Sequence, residues 1–559
     1  MLRHKALRAF LSAMCVSALL SGPVRAESTP TIETVSINAG INSEDSSIAL
    51  GENLLFGADD GVHGWELWAS DGTAAGTQLV ADICPGICSS FAEGFVRMKE
   101  FVYFWARADE DSRPDLWRTD GTSDGTERVA FIFHQTNPLK VVGSTLYWTA
   151  YSADYNLLWL YKSDGTQMGT RVVDTFRQDW DNAECFGSNE IVAIGSTVYF
   201  AAEGLFSNKG TELWRSNGTL SGTKIVKDVR VGTRSSCPDN LVVLGKTIYF
   251  SVGGVGGTAT ELWKSNGTAG GTTRVRRIQS APVESGIGCF VSAGTVLYFC
   301  ASDGVHGNEL WRSNGTFAGT KMVKDINRGT ADGFGYSFVI GSKQFFWADD
   351  GVHGWEPWTS DGTATGTMII ADVNVGRVGS VPDNGEGGFV SLGSWIYFVA
   401  NNGSKRSVYR TRDGVTEPLP LTDGANSVSI VNGKLAVSFE TTLSFFEAPL
   451  ERAVSYKQPT IKVSGKLAVG GSLIASPGIW GGFPVPTFSY QWYSCGGRVL
   501  IELRVIPRGC EPIAGRTAGT LKLTRAERYR YIAVLVTATS AGTSPTQWLS
   551  KSTSYKVSN

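Results

Sequence analysis

Residues 301–327, ASDGVHGNELWRSNGTFAGTKMVKDIN, decide the fold because close copies of this stretch recur along the chain. The clearest copies begin at Ala58 and Ala348. An aromatic anchor residue marks the unit at Trp68, Trp117, Tyr161, Trp214, Trp263, Trp311, Trp358 and, in degenerate form, Tyr409. Successive anchors are 44 to 53 residues apart, and Gly-Thr-x-x-Gly-Thr follows each of the first seven. A repeat of this regularity predicts an array of similar structural units.

Each unit contains four short segments of β-type residues separated by turn residues. Examples are Leu241–Leu244, Thr247–Ser251 and Thr260–Lys264, followed by a fourth segment of the type Lys321–Ile326. Glycine supplies the tight turns between them and accounts for 67 of the 559 residues. Four strands in about 40 to 50 residues, with no helical pattern, are typical of one propeller blade. The predicted fold class is therefore all-β, a β-propeller of four-stranded blades. We label the four strands of each blade a to d in chain order.

The two ends of the array are expected to share one blade. After the eighth anchor, residues 427–431, 434–438 and 442–446 supply strands a, b and c without a strand d, and Thr34–Gly40 has the pattern of a lone strand d. Joining these segments closes the ring and removes two exposed sheet edges. Counted this way there are nine units, whereas propellers usually have about four to eight blades. The sequence therefore leaves open a ring of nine blades or a ring of eight with a degenerate unit outside it.

The run Glu66-Leu-Trp-Ala-Ser-Asp-Gly-Thr73 resembles the ELWxxDGT repeat of exported bacterial proteins. Copies with Asn in place of Asp begin at Glu212, Glu261 and Glu309. The resemblance covers residues 31–448 and implies a propeller-like repeat domain. It implies no catalytic residues, because that family is defined by its repeat and carries no agreed activity.

Residues 458–557 are predicted to form a second, smaller β domain. Tyr490-Gln-Trp-Tyr-Ser-Cys495 and the alternating run at 531–538 resemble the Ig-like modules of bacterial surface proteins, which implies a β-sandwich. Cys495 and Cys510 are much closer in sequence than the cysteines of antibody domains. Their disulfide is therefore expected to link a local hairpin or loop rather than the two sheets.

The N-terminus has the pattern of a secretory signal peptide. Met1–Arg8 carries three basic residues and no acid, an apolar run follows to Leu20, and Val24-Arg-Ala26 provides a cleavage site after Ala26. The apolar run is shorter than the roughly 20 residues of a bilayer span, so we expect no transmembrane segment. A lipoprotein site at Cys15 is disfavoured because Met14 stands where a small residue is expected. The sequence thus predicts residues 1–26 as a signal peptide and a secreted, cell-surface or periplasmic protein.

Eight cysteines remain after the predicted cleavage, and an exported chain favours disulfides between them. A two-residue turn at Gly294-Thr295 places Cys289 directly opposite Cys300. The expected pairs are Cys84–Cys88 and Cys495–Cys510 by local spacing, Cys289–Cys300 by this hairpin, and Cys185–Cys237 by elimination. A metal or redox role for Cys84 and Cys88 is disfavoured because no second Cys/His cluster lies nearby in the sequence.

Asp-Gly-Val-His-Gly-x-Glu occurs three times and contains His63, His306 and His353. Carboxylates beside imidazole suit metal binding or acid–base chemistry. A duplicated hairpin turn between strands b and c is the favoured interpretation, because equivalent turns on different blades do not converge on one ion. No nucleophile elbow, phosphate loop or HExxH motif is present in the sequence, so we expect no catalytic residue, no metal site and no cofactor.

Binding is expected on one face of the propeller, where the b-to-c and d-to-a loops emerge and where the loop sequences vary most. Exposed aromatic faces there suit stacking on sugar rings or peptide side chains. The alternative is that Trp65 and Trp355 pack against the next blade. The candidate binding residues are His63, Trp65, Trp180, Asp181, Arg234, His306, His353 and Trp355.

The net charge of −2 conceals two regions of opposite sign. Residues 27–455 carry 33 basic and 49 acidic residues, whereas residues 456–559 carry 13 basic and three acidic ones. The overall charge argues against a nucleic-acid partner. An acidic propeller joined to a basic module suggests that the module docks on an anionic envelope polymer.

The leading functional hypothesis is an exported, non-enzymatic binding or scaffold protein that recognises a carbohydrate, an envelope polymer or a protein through the propeller loops. The alternatives are a secreted polysaccharide- or glycan-active hydrolase or lyase, and a purely structural surface protein. Converging carboxylates with shifted pKa values in the central channel favour an enzyme, whereas small apolar and hydroxyl side chains favour binding or scaffolding.

Overall fold

The computed structural model describes residues 32–40, 46–132, 135–136, 138–152, 156–177, 185, 190–253, 259–278, 286–382, 388–447, 451–457, 459–464, 466–477, 479–483, 487–499, 506–539 and 546–558. Within these ranges the chain is almost entirely strand and turn. Its helical content there is two single-turn 3₁₀ helices, Leu220–Gly222 and Arg525–Glu527. The predicted signal peptide, residues 1–26, lies outside the described residues.

The propeller strands form antiparallel blades, each with strand positions a to d in chain order. Blades 3 and 4 are joined in one nine-stranded sheet, because Phe176 and Arg177 pair with Gly204 and Glu203. The first strand, β1 (Ile32–Val35), belongs to the last blade. Blade 1 contains β2 (Asn38–Gly40), β3 (Ser47–Leu50), β4 (Asn53–Asp59), β5 (Trp65–Ser70) and β6 (Gln78–Ala81). Blade 2 contains β7 (Glu93–Met98), β8 (Phe101–Ala106), β9 (Asp115–Thr119) and β10 (Glu127–Ala130). Blade 3 contains β11 (Gln135–Thr136), β12 (Lys140–Val142), β13 (Thr145–Tyr151), β14 (Leu157–Ser163) and β15 (Arg171–Arg177). Short strands β2 and β3 both pair with β4, and β11 and β12 both pair with β13, so each pair acts as one strand a.

The remaining blades follow the same a-to-d order. Blade 4 contains β16 (Val192–Ile194), β17 (Thr197–Gly204), β18 (Thr211–Ser216) and β19 (Lys224–Lys227). Blade 5 contains β20 (Pro238–Leu244), β21 (Thr247–Gly253), β22 (Ala259–Ser265) and β23 (Thr273–Arg277). Blade 6 contains β24 (Gly288–Ala293), β25 (Val296–Ala301), β26 (Glu309–Ser313) and β27 (Lys321–Lys324). Blade 7 contains β28 (Phe334–Ile340), β29 (Lys343–Asp349), β30 (Trp355–Ser360) and β31 (Met368–Ile369). Blade 8 contains β32 (Phe389–Leu392), β33 (Trp395–Asn401), β34 (Arg406–Arg412) and β35 (Val415–Pro418). Blade 9 contains β36 (Ser427–Val431), β37 (Lys434–Ser438), β38 (Leu443–Glu447) and β1.

The two ends of the propeller meet in blade 9, as predicted. Strand β1 pairs antiparallel with β38, where Thr34 lies opposite Ser444 and their hydroxyl oxygens are 2.9 Å apart. The expected single strand Thr34–Gly40 is divided, however. The chain turns at Ile37, whose N–H donates to Val35 O, and Asn38–Gly40 then joins blade 1. The closing strand is therefore shorter than the sequence pattern indicated, and it begins earlier.

Apolar clusters fill the spaces between successive blades around the whole ring. Phe56 of blade 1, for example, packs with Phe445 of blade 9, and Trp347 of blade 7 packs edge-on against Phe398 of blade 8. In the described residues these clusters number nine and join nine blades in sequence. The ring is thus a nine-bladed propeller, one more than the usual upper size.

The anchor aromatics lie on strand c of blades 1 to 8, and each is opposite an aromatic residue of strand b. Tyr161 stacks on Trp148 with ring centroids 5.1 Å apart, and Trp311 stacks on Phe299 at 6.1 Å. The remaining cross-strand pairs are Phe56–Trp68, Phe104–Trp117, Phe200–Trp214, Phe250–Trp263, Phe346–Trp358 and Phe398–Tyr409. Since a blade is covered on both faces, the strand-b member of each pair is buried and the anchor is buried or partly buried, so the pairs form the repeated core of the propeller.

The structure contains the four expected disulfides, Cys84–Cys88, Cys185–Cys237, Cys289–Cys300 and Cys495–Cys510. The prediction that Cys289 lies directly opposite Cys300 was wrong by one residue. The hairpin starts in the expected register, with Ala293 opposite Val296, but a β-bulge shifts it so that Gly288 faces Cys300. Cys289 adopts φ +56° in the bulge, and its side chain still reaches the partner sulfur.

A second β unit follows the ring. Its strands are β39 (Glu451–Lys457), β40 (Thr460–Ser464), β41 (Ser472–Ser476), β42 (Ile479–Phe483), β43 (Thr487–Cys495), β44 (Cys510–Pro512), β45 (Thr520–Lys522), β46 (Tyr531–Thr539) and β47 (Thr546–Leu549). Leu473 and Leu521 of the sheet β40-β41-β45 share a core with Trp492 and Ile532 of the sheet β44-β43-β46-β47. Cys495 and Cys510 are direct cross-strand partners in one sheet, so this disulfide staples a hairpin. An Ig-like identity for the unit stays a prediction.

No helix in the described ranges is long and apolar enough to cross a bilayer. The four disulfides are typical of proteins that fold in an oxidising compartment outside the cytoplasm.

Candidate functional site

The Gly-Thr-x-x-Gly-Thr segments form the c-to-d turns and are closed by their own hydrogen bonds. In blade 1, Asp71 Oδ1 accepts hydrogen bonds from the Thr73 N–H and hydroxyl at 2.8 and 2.6 Å. Ser70 Oγ lies 2.7 Å from Thr77 Oγ1. In other blades Asn takes the Asp position, and its amide oxygen makes the same two contacts, as Asn314 does with Thr316. The repeat signature therefore specifies a turn. Its polar side chains are hydrogen-bonded to one another, so few of them are available to bind a ligand.

The same turns also bind blades 3 to 7 to the preceding blade. The basic residue after the anchor on strand c donates to the turn glycine carbonyl of the next blade, as Arg312 Nη1 does to Gly362 O at 2.9 Å. We call this contact the interblade stitch. It recurs in the pairs Arg118–Gly165, Lys162–Gly218, Arg215–Gly267 and Lys264–Gly315. The c-to-d edge of the ring is thus occupied by structural contacts.

The opposite edge, which we call the loop face, carries the b-to-c hairpins and the d-to-a loops. A glutamate two residues before the aromatic anchor begins or nearly begins strand c. In four blades this glutamate is fully buried beneath the loop face, whereas Glu261 in blade 5 is partly buried and pairs with Arg274. Glu309 accepts from the N–H groups of Ile326 and Asn327 at 2.9 and 3.1 Å, and so it holds the start of the following d-to-a loop. Glu66, Glu212 and Glu356 hold equivalent loops at the same sequence separations of 17 and 18 residues. We call these four side chains the loop anchors.

Burial raises the pKa of the loop anchors. The effect is largest at Glu212 and Glu309, where loss of hydration raises the pKa to about 7 despite the N–H groups that favour the carboxylate. A raised carboxyl pKa in a cleft is a common sign of a catalytic acid. Here the carboxyl oxygens are directed at backbone N–H groups of a loop, so the arrangement is structural.

The Asp-Gly-Val-His-Gly segments are b-to-c hairpin turns. Asp60 Oδ1 accepts from the N–H groups of Val62 and His63, and Asp60 Oδ2 lies 2.8 Å from His63 Nδ1. Hydrogen bonding to Asp60 raises the pKa of His63. Gly64 has φ +68°, and a Cβ there would lie 2.2 Å from Cys88 O of the d-to-a loop. The turn therefore requires glycine at this point because the two loops touch backbone to backbone.

The other two copies repeat this geometry, and the three histidines do not come together. His306 Nδ1 is 2.9 Å from Asp303 Oδ2, and His353 Nδ1 is 2.8 Å from Asp350 Oδ2, each inside its own turn. Among the described residues, no group of three or more His, Cys, Asp or Glu side chains could hold a metal ion. The geometry shows a repeated capped turn.

The central wall is formed by strands a, which contact one another in successive blades. Within the described part of the chain, every carboxyl group with a raised pKa lies on strand c or d instead. Strands a contribute mainly small apolar and hydroxyl side chains that are exposed or partly exposed, including Ala49, Ser292, Ser337, Ser391 and Ser429. They also carry two carboxylates, two cations and one exposed tyrosine: Glu93, Asp239, Arg97, Lys140 and Tyr336.

The structure separates the candidate binding residues into different environments. Trp355 packs against the apolar cluster between blades 7 and 8, and Trp65 lies over Gly57 of the neighbouring strand, so both indoles are half-buried. Arg234 is exposed at the d-to-a loop after blade 4. Trp180 and Asp181 lie outside the described residues.

The most exposed apolar residue of the loop face is Phe206, which is 97% exposed in the b-to-c hairpin of blade 4. Several exposed aliphatic side chains also lie on this face, and the sequence reasoning missed them. Ile87 is 86% exposed, Val231 is 88% exposed and Val375 is 86% exposed, all at tips of d-to-a loops. Val62, Val305 and Val352 occupy the exposed tips of the three Asp-Gly-Val-His turns. For these three valines the signal in the sequence is their position between the glycine and the histidine of each Asp-Gly-Val-His copy. These six aliphatic tips form the candidate interaction surface.

These features define an all-β protein built on a β-propeller, with its variable loops held on one face. No family model matches the chain, and no curated protein matches it.

Solved structures resemble the chain at low similarity. An oligogalacturonate lyase in complex with manganese has a TM-score of 0.35 at 13% identity, with 57% of this chain and 93% of that chain covered. Sqt1 of Saccharomyces cerevisiae has a TM-score of 0.33 at 12% identity, with 63% and 93% covered. A puromycin-hydrolyzing peptidase of Mycobacterium tuberculosis has a TM-score of 0.32 at 10% identity, with 72% of this chain and 58% of that chain covered.

Proposed function

We propose that this protein is an exported, non-enzymatic binding scaffold that holds a protein partner on its loop face. The observation that carries the proposal is the set of six aliphatic tips, which project from rigidly held loops. The tips occur on touching loops at two places: Gly64, beside Val62, packs against the backbone of Ile87, and Gly354, beside Val352, packs against the backbone of the loop that carries Val375. Adjacent exposed apolar side chains on neighbouring loops are candidates for an interaction surface.

The support of these tips is what makes them suitable for recognition. Each d-to-a loop that carries Ile87, Val231 or Val375 begins at a loop anchor beneath it. A loop fixed in this way loses little conformational entropy when a partner binds. Binding energy from apolar burial is therefore retained instead of being spent on ordering the loop.

Protein recognition is better supported than carbohydrate recognition. The sugar-binding hypothesis rests on indole rings at Trp65, Trp180 and Trp355. Trp65 and Trp355 are half-buried against their own surroundings, and Trp180 lies outside the described residues. The hydrolase or lyase alternative draws no support from the central wall, because the six described carboxyl groups with a raised pKa lie on strands c and d, and four of them are the loop anchors. Export is supported by the four disulfides and by the signal-peptide pattern of residues 1–26.

The test compares binding partners captured by the full chain and by two matched triple variants. Val305→Asp, Val352→Asp and Val375→Asp place charges on the loop face. Met168→Asp, Leu220→Asp and Phe317→Asp place the same charges on the c-to-d edge, where these three side chains are also exposed. We expect the partner protein to be crosslinked by the wild type and by the edge variant and lost by the loop-face variant.

Equal loss in both variants, or equal retention in both, would show that the loop face is not the binding surface. A polysaccharide array provides the second arm, with Trp65→Ala and Trp355→Ala. Glycan binding that depends on these tryptophans would contradict the protein-partner assignment and return the carbohydrate hypothesis to first place.

A further inference from the structure

The second β unit carries a compact surface of cations and tyrosines at its C-terminal end. The surface consists of Arg525, Arg528, Tyr529, Tyr555 and Lys556, and we call it the basic–aromatic patch. The side chains of Tyr529 and Tyr555 are 58% and 77% exposed. Arg525 and Lys556 are exposed, and Arg528 is half-buried.

Backbone hydrogen bonds hold the two segments of the patch side by side. The Tyr529 N–H donates to Val557 O at 2.9 Å, and the Val557 N–H donates to Arg530 O at 3.0 Å. The Arg528 N–H donates to Arg525 O at 3.3 Å, which closes the short 3₁₀ turn. The patch is therefore built on fixed backbone, and its side chains are displayed from neighbouring positions.

The aromatic rings and the cations are interleaved. The Arg528 guanidinium carbon lies 4.5 Å from the centroid of the Tyr529 ring, and Lys556 Nζ lies 5.7 Å from that of Tyr531. Tyr529 adopts φ +61°, a left-handed conformation that is uncommon for a bulky residue. Such outliers are found more often at ligand sites than elsewhere, because the surrounding structure must maintain them.

The cations of the patch have no carboxylate partner within the described ranges. The acidic side chain in the same turn, Glu527, is buried and accepts from the Thr524 N–H and hydroxyl, both at 2.7 Å. Arg528 Nε is buried without an acceptor in the described part of the chain. In the propeller, by contrast, arginines commonly pair with carboxylates, as Arg274 does with Glu261 at 2.7 Å. Arg528 Nη2 donates to the neutral Tyr529 hydroxyl, so the charges of the patch are not neutralised within the described residues. In a region of 13 basic and three acidic residues, such cations suit an external anion.

We propose that the basic–aromatic patch binds an acidic polysaccharide whose sugar rings carry carboxylate groups. Arginine pairs with carboxylate through parallel N–H donors, which fits a uronate better than a neutral sugar. The exposed tyrosine faces offer an apolar platform to the sugar ring between the charges. This site goes beyond the proposed function, since it lies on a different part of the chain from the loop face and serves a different class of ligand.

Binding of the full chain to immobilised polygalacturonate tests the proposal. The patch variant combines Arg525→Gln, Arg528→Gln and Lys556→Gln. The control variant combines Arg508→Gln, Arg516→Gln and Lys522→Gln, three exposed cations of the same unit, so it loses the same net charge. We expect the dissociation constant to rise at least about tenfold in the patch variant and less than about threefold in the control, and wild-type binding to weaken between about 50 and about 500 mM salt.

Equal weakening in the two variants, or no wild-type binding to polygalacturonate, would overturn the proposal. A second variant, Tyr529→Ala with Tyr555→Ala, keeps the charge and is expected to weaken binding to polygalacturonate while leaving binding to polyphosphate unchanged. If polyphosphate or phosphatidylglycerol vesicles bind as tightly as polygalacturonate and the tyrosine variant has no effect, the ligand is not a saccharide. Melting curves of each variant establish that the unit remains folded, and loop-face capture reports separately on the propeller.

Discussion

At the scale of single residues, the most informative side chain is the glutamate of Glu-Leu-Trp. A buried carboxylate is expensive to keep ionised, and two or more N–H donors offset only part of that cost. Glu309 and Glu212 accept such donors and still have pKa values of about 7. The stability of the molecule is therefore expected to depend on pH near neutrality through these two residues, in addition to the histidines whose pKa is raised by hydrogen bonding to aspartate.

The first prediction concerns this pH dependence. The ordinary pKa of 4.5 applies when the chain is unfolded, and the folded value is about 7. Between these values the folded state retains protons that the unfolded state has released. The contribution of Glu212 and Glu309 to stability is thus complete below about pH 4.5 and is lost as the pH rises through about 7.

We expect the melting temperature of the wild type to fall between about pH 5 and about pH 8. The double variant Glu212→Gln and Glu309→Gln does not titrate at these positions, so its melting temperature should be lower at pH 5 and should fall less steeply. Calorimetry at matched ionic strength measures both slopes. Parallel slopes for wild type and variant would mean that the two carboxyl groups are not the source of the pH dependence.

At the scale of elements, the c-to-d turn both ends one hairpin and joins two blades. Gly315 has φ +80°, and a Cβ there would lie 2.2 Å from Tyr249 Oη of the preceding blade. Gly294, in the a-to-b turn of the same blade, has φ +61° with no atom within 4 Å of its Cβ position. The two glycines share the left-handed conformation, and they differ in the contact with the neighbouring blade.

The second prediction uses this pair. Gly294→Ala is expected to lower the free energy of unfolding by about 1 kcal/mol, which is the cost of the left-handed conformation. Gly315→Ala is expected to cost about 1 to 3 kcal/mol more, because Tyr249 must move out of the interblade contact. Urea unfolding of both variants gives the comparison. Equal costs would contradict the role of the turn in joining blades.

The same elements show why the site was harder to predict than the fold. Alternating apolar residues and Gly-Thr-x-x-Gly-Thr specify the strands and turns locally, so the blade could be predicted from the sequence. The loop anchors depend on contacts 17 and 18 residues away, and a pattern of neighbouring residues does not reveal them. The sequence left open whether Trp65 and Trp355 are exposed or pack against the next blade, because their burial depends on the adjoining strand and blade. Cys289 was misplaced by one position because a bulge has little signature in this hairpin.

At the scale of the whole molecule, the blade count follows from how the ends pair. The sequence left eight or nine blades open, since the local pattern is the same in either ring. The pairing of β1 with β38 and the apolar clusters between all neighbouring blades establish nine in the described chain. Closure gives each sheet a neighbour on both faces and holds the d-to-a loops and b-to-c hairpins on one side. The central claim is therefore that the first and last strands of residues 32–447 close a single nine-bladed ring.

The most direct measurement of that claim is a crosslink across the closing strands. Thr34→Cys with Ser444→Cys places two thiols at paired positions where the native hydroxyl oxygens are 2.9 Å apart. We expect a disulfide to form nearly completely, to be found by mass spectrometry as one peptide joining residues 34 and 444, and to raise the melting temperature. A control pair, Thr34→Cys with Ser429→Cys on the innermost strand of the same blade, should stay reduced. Free thiols at 34 and 444 in the folded protein would contradict the closed nine-bladed ring.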